Sequence, residues 1–318
     1  MKLYTAVNQF IAYRKSLGEG FVKNSTRLNA FVRAMGQGVA LADVKPESVN
    51  KYLAGKFYTI TTNWHSKYYT LHGFYQYVIS RGYTKTSPLP VVIPKRPQSL
   101  VPYIYNTEEL RALFDACLSY QKKKCRLEPY MVRTLLLLLY GAGLRLTEAI
   151  SLTLADVDLT QALLTIRETK FHKTRLVPLG KQLTQILLQY VTQRHRENYS
   201  QNPDAPFFVG RNGKAVKQRT IEYVFRLICK KADIRRTNGG RYQPRIHDLR
   251  HSFAVHRLTA WYKEGADVQR LLPVLSVYMG HVCISSTSTY LTMTPTLLEE
   301  AGRRFEQYAF KKEEKSHD

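Results

Sequence analysis

Six residues from position 145 onward have the types needed to move a phosphoryl group: Arg145, Lys170, His247, Arg250, His281 and Tyr290. Arg145 lies in GAGLRLTEAISL and Lys170 in LLTIRETKFHKTRLVPLG. His247 and Arg250 lie in HDLRHSF, and His281 and Tyr290 in MGHVCISSTSTY. All but the tyrosine donate hydrogen bonds or positive charge, and neither a partner carboxylate nor a metal-ligand cluster accompanies them. Donors that converge on one nucleophilic oxygen suit a phosphate whose oxygens gain negative charge during displacement. The set points to phosphoryl transfer on DNA through a covalent tyrosine ester.

Each residue type has a reason to be there. A phosphodiester is negative, so an attacking phenolate meets repulsion and a poor electrophile. Arg145 and Arg250 each offer a planar fork of N–H donors to the non-bridging oxygens and keep their charge at any relevant pH. Such a clamp strengthens as the pentavalent state gathers charge. Arg145 also stands at a predicted helix start, where free backbone N–H groups favour an anion. Tyr290, with an ordinary phenol pKa of about 10, must lose its proton or have its phenolate stabilised. His247 is the better candidate to accept that proton, because neutral imidazole is available near neutral pH. His281 suits a hydrogen bond to a phosphate oxygen. Glu148, one helical turn beyond Arg145, is suited to orienting cationic neighbours. His251 and His256 read as packing or supporting groups, and Tyr242, Tyr278 and Tyr308 as core or rim aromatics.

Several motifs occur together and in order. Gly143-Leu144-Arg145-Leu146-Thr147-Glu148 fits G-L-R-x-S/T-E, and Lys170 precedes Lys173-Thr174-Arg175-Leu176-Val177-Pro178-Leu179. His247 to His251 fits H-x-L-R-H, and Gly280-His281 stands nine residues before Tyr290. From about residue 105 to 305 the chain resembles the catalytic domain of the tyrosine site-specific recombinases, the phage integrase and Xer family. The residues before it resemble that family's helical, SAM-like core-binding domain. The resemblance implies a mainly α fold with a small antiparallel β-sheet. It implies cleavage of one phosphate per strand to leave a 3′-phosphotyrosyl bond and a free 5′-hydroxyl, which the partner strand's 5′-hydroxyl resolves. Lys170, on a hairpin tip, would protonate the leaving 5′ oxygen, with Lys173 the nearest competitor. Bond energy stays in the ester, so no cofactor, metal or ATP is expected.

The partners implied are a double-stranded DNA recombination site and further copies of the chain: monomer or dimer when free, a tetramer on DNA. An accessory recombinase or DNA-bending protein fits the same scheme. A type IB topoisomerase, a telomere resolvase and a sequence-specific DNA-binding protein on the same scaffold are the other readings of these residues. The chain starts directly in the helical region, which favours a simple Xer-like resolvase or a transposon-encoded recombinase. Leu291-Thr292-Met293-Thr294-Pro295 and Leu298-Glu299-Glu300-Ala301 resemble transposon-borne integrases. Met279 stands where leucine is usual before Gly-His, and Val282 to Ser288 differ in detail from Xer-type sequences.

Composition agrees with a polyanionic partner. Lys and Arg outnumber Asp and Glu 48 to 24, for a formal charge of +24, and such a field attracts nucleic acid. A hydrophobic content of 44% excludes a wholly disordered chain. Residues 48 to 107 contain no Asp or Glu but carry Lys51, Lys56, Lys67, Arg81, Lys85, Lys95 and Arg96. A solvated surface normally mixes both signs, so Lys67, Arg81, Lys95 and Arg96 are candidate DNA contacts. Across Gln218 to Ala232, Arg219, Arg226 and Lys230 fall within about a 40° arc of a helical wheel, opposite Ile221, Val224, Phe225 and Ile228. That is a core-packed helix presenting a basic stripe to a groove or its phosphate walls. Cys117, Cys125, Cys229 and Cys283 show no CxxC spacing, and no signal peptide or membrane span is legible. A cytoplasmic, nucleoid-associated prokaryotic protein is the expectation.

The elements that must position these residues follow from apolar periodicity. Four helices are expected over residues 1–83: one carrying Leu3, Val7, Phe10, Ile11 and Leu17, a second from Ser25 to Met35, a third from Pro46 to about Lys56, and a fourth from about Thr62 to Arg81 closed by Gly82. Residues 84–104 hold a basic proline-rich linker. The second domain, 105–310, opens at Asn106-Thr107-Glu108-Glu109, a capping signal. A buried helix from Tyr130 to Tyr140 follows. Alternation over Ala162 to Arg167 and Arg175 to Leu179 predicts two antiparallel strands, with a third short strand at Pro206 to Val209 and a turn at Arg211 to Lys214. A helix from near Thr296 carries Leu297, Leu298, Ala301, Phe305 and Tyr308, to pack on its own domain or on a neighbour. A charged tail, 311–318, ends the chain.

Overall fold

A computed structural model describes residues 1–55, 60–97, 101–120, 126–167, 174–237, 242–292, 298–300, 302–303 and 306. The chain divides into two compact units, Met1–Ser99 and Leu100–Asp318. Lys56, Cys125, Lys170, Lys173, the helix expected from Thr296 in its greater part, and the 311–318 tail lie outside the described residues.

The first unit is helical: α1 (Leu3–Ser16), α2 (Val22–Met35), α3 (Pro46–Ala54) and α4 (Thr62–Ser80). Its core is built from residues three or four apart on each helix, the spacing that puts side chains on one face. Leu3, Val7 and Phe10 of α1 meet Leu28 and Phe31 of α2 and Leu71, Phe74 and Val78 of α4. Pro46 takes the first turn of α3, where its missing N–H is not needed. The Thr61 hydroxyl caps α4 by accepting from the Trp64 N–H, and Gly82, with φ +72°, closes the helix in a conformation that side chains disfavour. Beyond it, Tyr83 and Leu89 pack on this core, the Tyr68 hydroxyl donates to the Pro90 carbonyl at 3.3 Å, and Arg96 lies over the Tyr69 ring. The proline-rich segment thus runs along the helical unit before it leaves it.

The second unit carries α5 (Thr107–Ser119), α6 (Pro129–Gly141), α7 (Leu146–Ile150), α8 (Lys181–Arg196), α9 (Gln218–Lys231), α10 (Asp248–Lys263), α11 (Val268–Met279) and α12 (Ser285–Ser288). The capping signal at Asn106 is realised in full. Its side chain accepts from Glu109 N–H at 2.8 Å, and the Glu109 carboxylate accepts from Asn106 N–H at 2.9 Å. Helix α6 is buried through Met131, Val132, Leu135, Leu136, Leu138 and Leu139 and forms the centre of the core. A three-stranded antiparallel sheet stands beside it, in the order β1 (Val157–Asp158), β2 (Leu163–Ile166) and β3 (Arg175–Pro178), with Leu164 opposite Val177 and Ile166 opposite Arg175.

One strand expectation is corrected. Pro206 to Val209 makes only isolated bridges, Thr153 to Pro206 and Val209 to Ala215, and the sheet's third strand is Val157–Asp158. Phe207 and Phe208 are fully buried, which gives the segment its apolar look. Pro206 has no N–H to give a ladder, and Phe207 N–H goes instead to the Leu152 carbonyl. Among the described residues no helix is long and apolar enough to cross a membrane. Asn106→Ala removes one cap hydrogen bond from α5, and the second unit should lose about 1 kcal/mol, read from its urea unfolding midpoint.

Candidate active site

Three arginines end at one place, the C-terminus of α11. The last carbonyls of a helix have no partner within it and carry the negative end of its dipole. Here Arg175 Nε donates to the Tyr278 carbonyl at 3.0 Å, Arg250 Nη2 to Met279 at 2.6 Å, and Arg145 Nη2 to Gly280 at 2.9 Å. Gly280 closes the helix with φ +67°, and a Cβ there would stand 2.6 Å from Arg175 Nη1, so both conformation and space call for glycine. On the other side, Arg250 Nη1 donates to the Gly143 carbonyl at 2.5 Å. Gly143 has φ +59°, and a Cβ would meet the Phe253 ring at 2.4 Å.

One carboxylate ties this cluster together. Glu148 accepts from Arg145 Nη1 at 2.6 Å and from Arg175 Nη2 and Nη1 at 2.8 and 3.1 Å. It also accepts from the backbone N–H of Arg145 at 2.9 Å. That N–H, expected to be free for an anion, is therefore already taken. Burial alone would raise the Glu148 carboxyl, but the hydrogen bonds and charge of Arg175, with those of Arg145, hold it at about 2. Arg250 is buried, and burial with the nearby Arg145 charge lowers its guanidinium to about 10, so it stays charged at neutral pH.

Tyr290 is also buried, 3% exposed. Its hydroxyl lies 3.0 Å from Nδ1 of His251, and its ring stacks on His281 with centroids 6.2 Å apart. Burial raises the phenol while the Arg250 and Arg145 charges lower it, for a net upward shift. His281 Nδ1 is 2.7 Å from the hydroxyl of Thr287, which is wholly buried. In this geometry His251, one turn further along α10 than His247, is the imidazole that reaches the Tyr290 hydroxyl. The rings of His247 and His251 lie edge to face at 4.8 Å, so His247 stands behind His251 at the N-terminus of α10, exposed as a residue.

All three imidazoles are held neutral. Burial, helped by the neighbouring His247 and arginines, takes His251 down to about 3. Burial with the Arg250 and Arg145 charges takes His281 to about 4. His247 is also held at about 4, by desolvation of its ring and by Arg250 and Arg245, although its surface is open to solvent. Neutral imidazoles can accept a proton at neutral pH. His256, read as packing, is bonded through Nδ1 to the Tyr140 hydroxyl at 2.9 Å. Among the described residues no group of His, Cys, Asp and Glu side chains could hold a metal ion.

Residues 105–296 match the phage integrase family. The chain belongs to that family. The Sinorhizobium fredii protein y4rB, by name an integrase/recombinase, is 38% identical over 218 residues, covering 68% of this chain and 69% of that protein. The tyrosine recombinase XerC of Lacticaseibacillus casei is 30% identical over 289 residues, 90% of each chain. In fold, the Tn1549 transposon integrase solved with transposon right end DNA aligns with a TM-score of 0.70 at 14% identity, over 97% of this chain and 100% of that one. A lambda integrase dimer bound to a core site aligns with a TM-score of 0.65 over 92% of this chain and 78% of that one, also at 14% identity. The protein is thus a tyrosine recombinase, and site-specific DNA recombination is the activity of its class.

Within this recombinase the remaining expected residues fall into two groups. Arg219, Arg226 and Lys230 are exposed on α9 while Ile221, Val224, Phe225 and Ile228 are buried, so the basic stripe exists as a surface. Lys95 and Arg81 are exposed, Arg81 over the Tyr77 ring. Lys67 is turned inward instead: Nζ donates to the Tyr52 carbonyl at 2.5 Å and lies 4.4 Å from the Tyr52 ring centroid, and burial lowers its pKa. Arg175 and Thr287 were not singled out by the sequence. Alternation along β3 does set Arg175 on the same face as the buried Val177, a position where an arginine needs a reason.

Arg175→Met should cost about 3 kcal/mol, because it strands a buried carboxylate. Adding Glu148→Gln should recover part of that, a coupling measurable by a double-mutant cycle in urea. The acid behaviour follows from the imidazoles. Their folded values lie below the free value of 6.5, so the unfolded chain takes up protons first as pH falls. Stability is full above about pH 6.5 and declines toward pH 4, with Glu148 extending the loss below its free value of 4.5. The thermal midpoint at pH 5 should lie below that at pH 7.5.

Proposed function

We propose that the protein recombines DNA at a specific site, with Tyr290 as nucleophile. The observation that carries this is the Tyr290 hydroxyl held 3.0 Å from a neutral His251, within the field of Arg145 and Arg250. The phenol gives its proton to the imidazole and its oxygen attacks phosphorus. The bond from phosphorus to the 5′ oxygen breaks, leaving a 3′-phosphotyrosyl ester. The 5′-hydroxyl of the partner strand then attacks that ester and returns the phenol.

Arg145 and Arg250 keep N–H donors beyond those given to carbonyls and to Glu148, and these suit the non-bridging oxygens. His281 adds a further hydrogen bond to them. Lys170, by its match to the family's hairpin lysine, protonates the leaving 5′ oxygen, with Lys173 the alternative. The helical unit and the basic stripe of α9 supply DNA contacts. As in the family, four protomers act together on two DNA sites, and integration, excision, resolution and transposition all use this same chemistry.

On nicked suicide duplexes carrying the ends of its own locus, Tyr290→Phe should form no covalent protein–DNA adduct while binding DNA near normally. Appreciable adduct from that variant removes Tyr290 as nucleophile. His251→Gln should slow adduct formation by about 100-fold, and more than His247→Gln does; the reverse order returns the proton-acceptor role to His247. Lys170→Ala should slow cleavage of ordinary DNA far more than of DNA with an activated 5′ leaving group.

A further inference from the structure

The helical unit holds a cavity of about 390 Å³ between α2, α4 and the proline-rich segment, and none of its lining residues is acidic. His65 lines it, 3% exposed, and neither of its ring nitrogens has a hydrogen-bond partner. A buried imidazole with both nitrogens idle costs free energy unless something else satisfies them. Around it stand Arg27, whose guanidinium gives one hydrogen bond to Asn24 at 2.9 Å, and Arg96, held over the Tyr69 ring at 5.3 Å. Neither arginine pairs with a carboxylate among the described residues. Thr62, also in the lining, opens the nineteen-residue helix α4, whose leading backbone N–H groups have no partner within the helix. Among the described residues only the third of them is taken, by the Thr61 hydroxyl. Two guanidiniums, a helix N-terminus and an idle buried imidazole form a ready anion site.

We infer that this cavity holds a phosphate oxyanion of the DNA backbone, bound by Arg27, Arg96 and His65 at the start of α4. The inference rests on the DNA reading above and adds to it a defined point of attachment in the helical unit. The backbone is favoured as the source because Thr62, His65, Tyr69 and Arg96 lie in the acid-free stretch 48–107, and no residue of the lining is acidic.

The test is a salt titration of binding to a fluorescent duplex of random sequence, followed by anisotropy. Arg27→Ala with Arg96→Ala should lower the slope of log affinity against log salt by about one, the loss of one phosphate contact, and weaken binding by roughly tenfold at moderate salt. Arg14→Ala, whose guanidinium pairs with Glu19, should leave the slope unchanged. His65→Leu should weaken binding while the melting temperature of the free protein holds or rises. A double variant with the wild-type slope overturns the inference. So does His65→Leu that loses stability but binds normally. If inorganic phosphate at matched ionic strength stabilises the wild type more than the double variant, and the DNA slope does not move, the site takes free anions and the inference fails as well. A wild-type protein that does not bind the duplex at all would instead remove the DNA reading itself.

Discussion

The end of one helix organises the active site. Three consecutive carbonyls at the C-terminus of α11 each receive a different arginine, brought from the α6–α7 turn, from strand β3 and from the first turn of α10. Carbonyls that would otherwise need water become the common anchor for side chains far apart in sequence. The same contacts fix where the chain leaves α11, and that exit carries His281 and, further on, Tyr290. The arginine cluster and the position of Tyr290 are therefore set by one local structure.

The electrostatics are unbalanced on purpose. Three guanidiniums face one carboxylate, Glu148, which is pinned at about 2 and never relinquishes its charge at working pH. Neutral carbonyls take up the remaining geometry without cancelling the positive field. Stacking like charges in a half-buried place is unfavourable in the free protein, and in the proposed reaction an incoming phosphodiester relieves it. The imidazoles are kept unprotonated first by burial and then by the cations around them.

Much of this was legible in the chain. The four N-terminal helices, the Asn106 cap and the β2–β3 hairpin followed from periodicity and turn chemistry, and the motifs marked Arg145, Arg250, His281 and Tyr290. What escaped had physical causes. Strand β1 is two residues long, too short for alternation to register, while Phe207 and Phe208 look like a strand because they are buried without joining a ladder. His247 and His251 share a face of α10, and helical spacing cannot say which meets a tyrosine 39 residues downstream. Arg175 could be placed inward by the pattern of β3, but its two anchors, Glu148 and the Tyr278 carbonyl, exist only in three dimensions. The contact of Lys67 with the Tyr52 ring of α3 likewise exists only in three dimensions.

Because successive carbonyls on a helix are turned by about 100° from one another, inserting or deleting a single residue in α11 ahead of Tyr278 would swing all three acceptors to new bearings together. No side-chain adjustment could follow them, since each arginine comes from a separately anchored element. The phasing of this helix is fixed by the three arginines that meet its end.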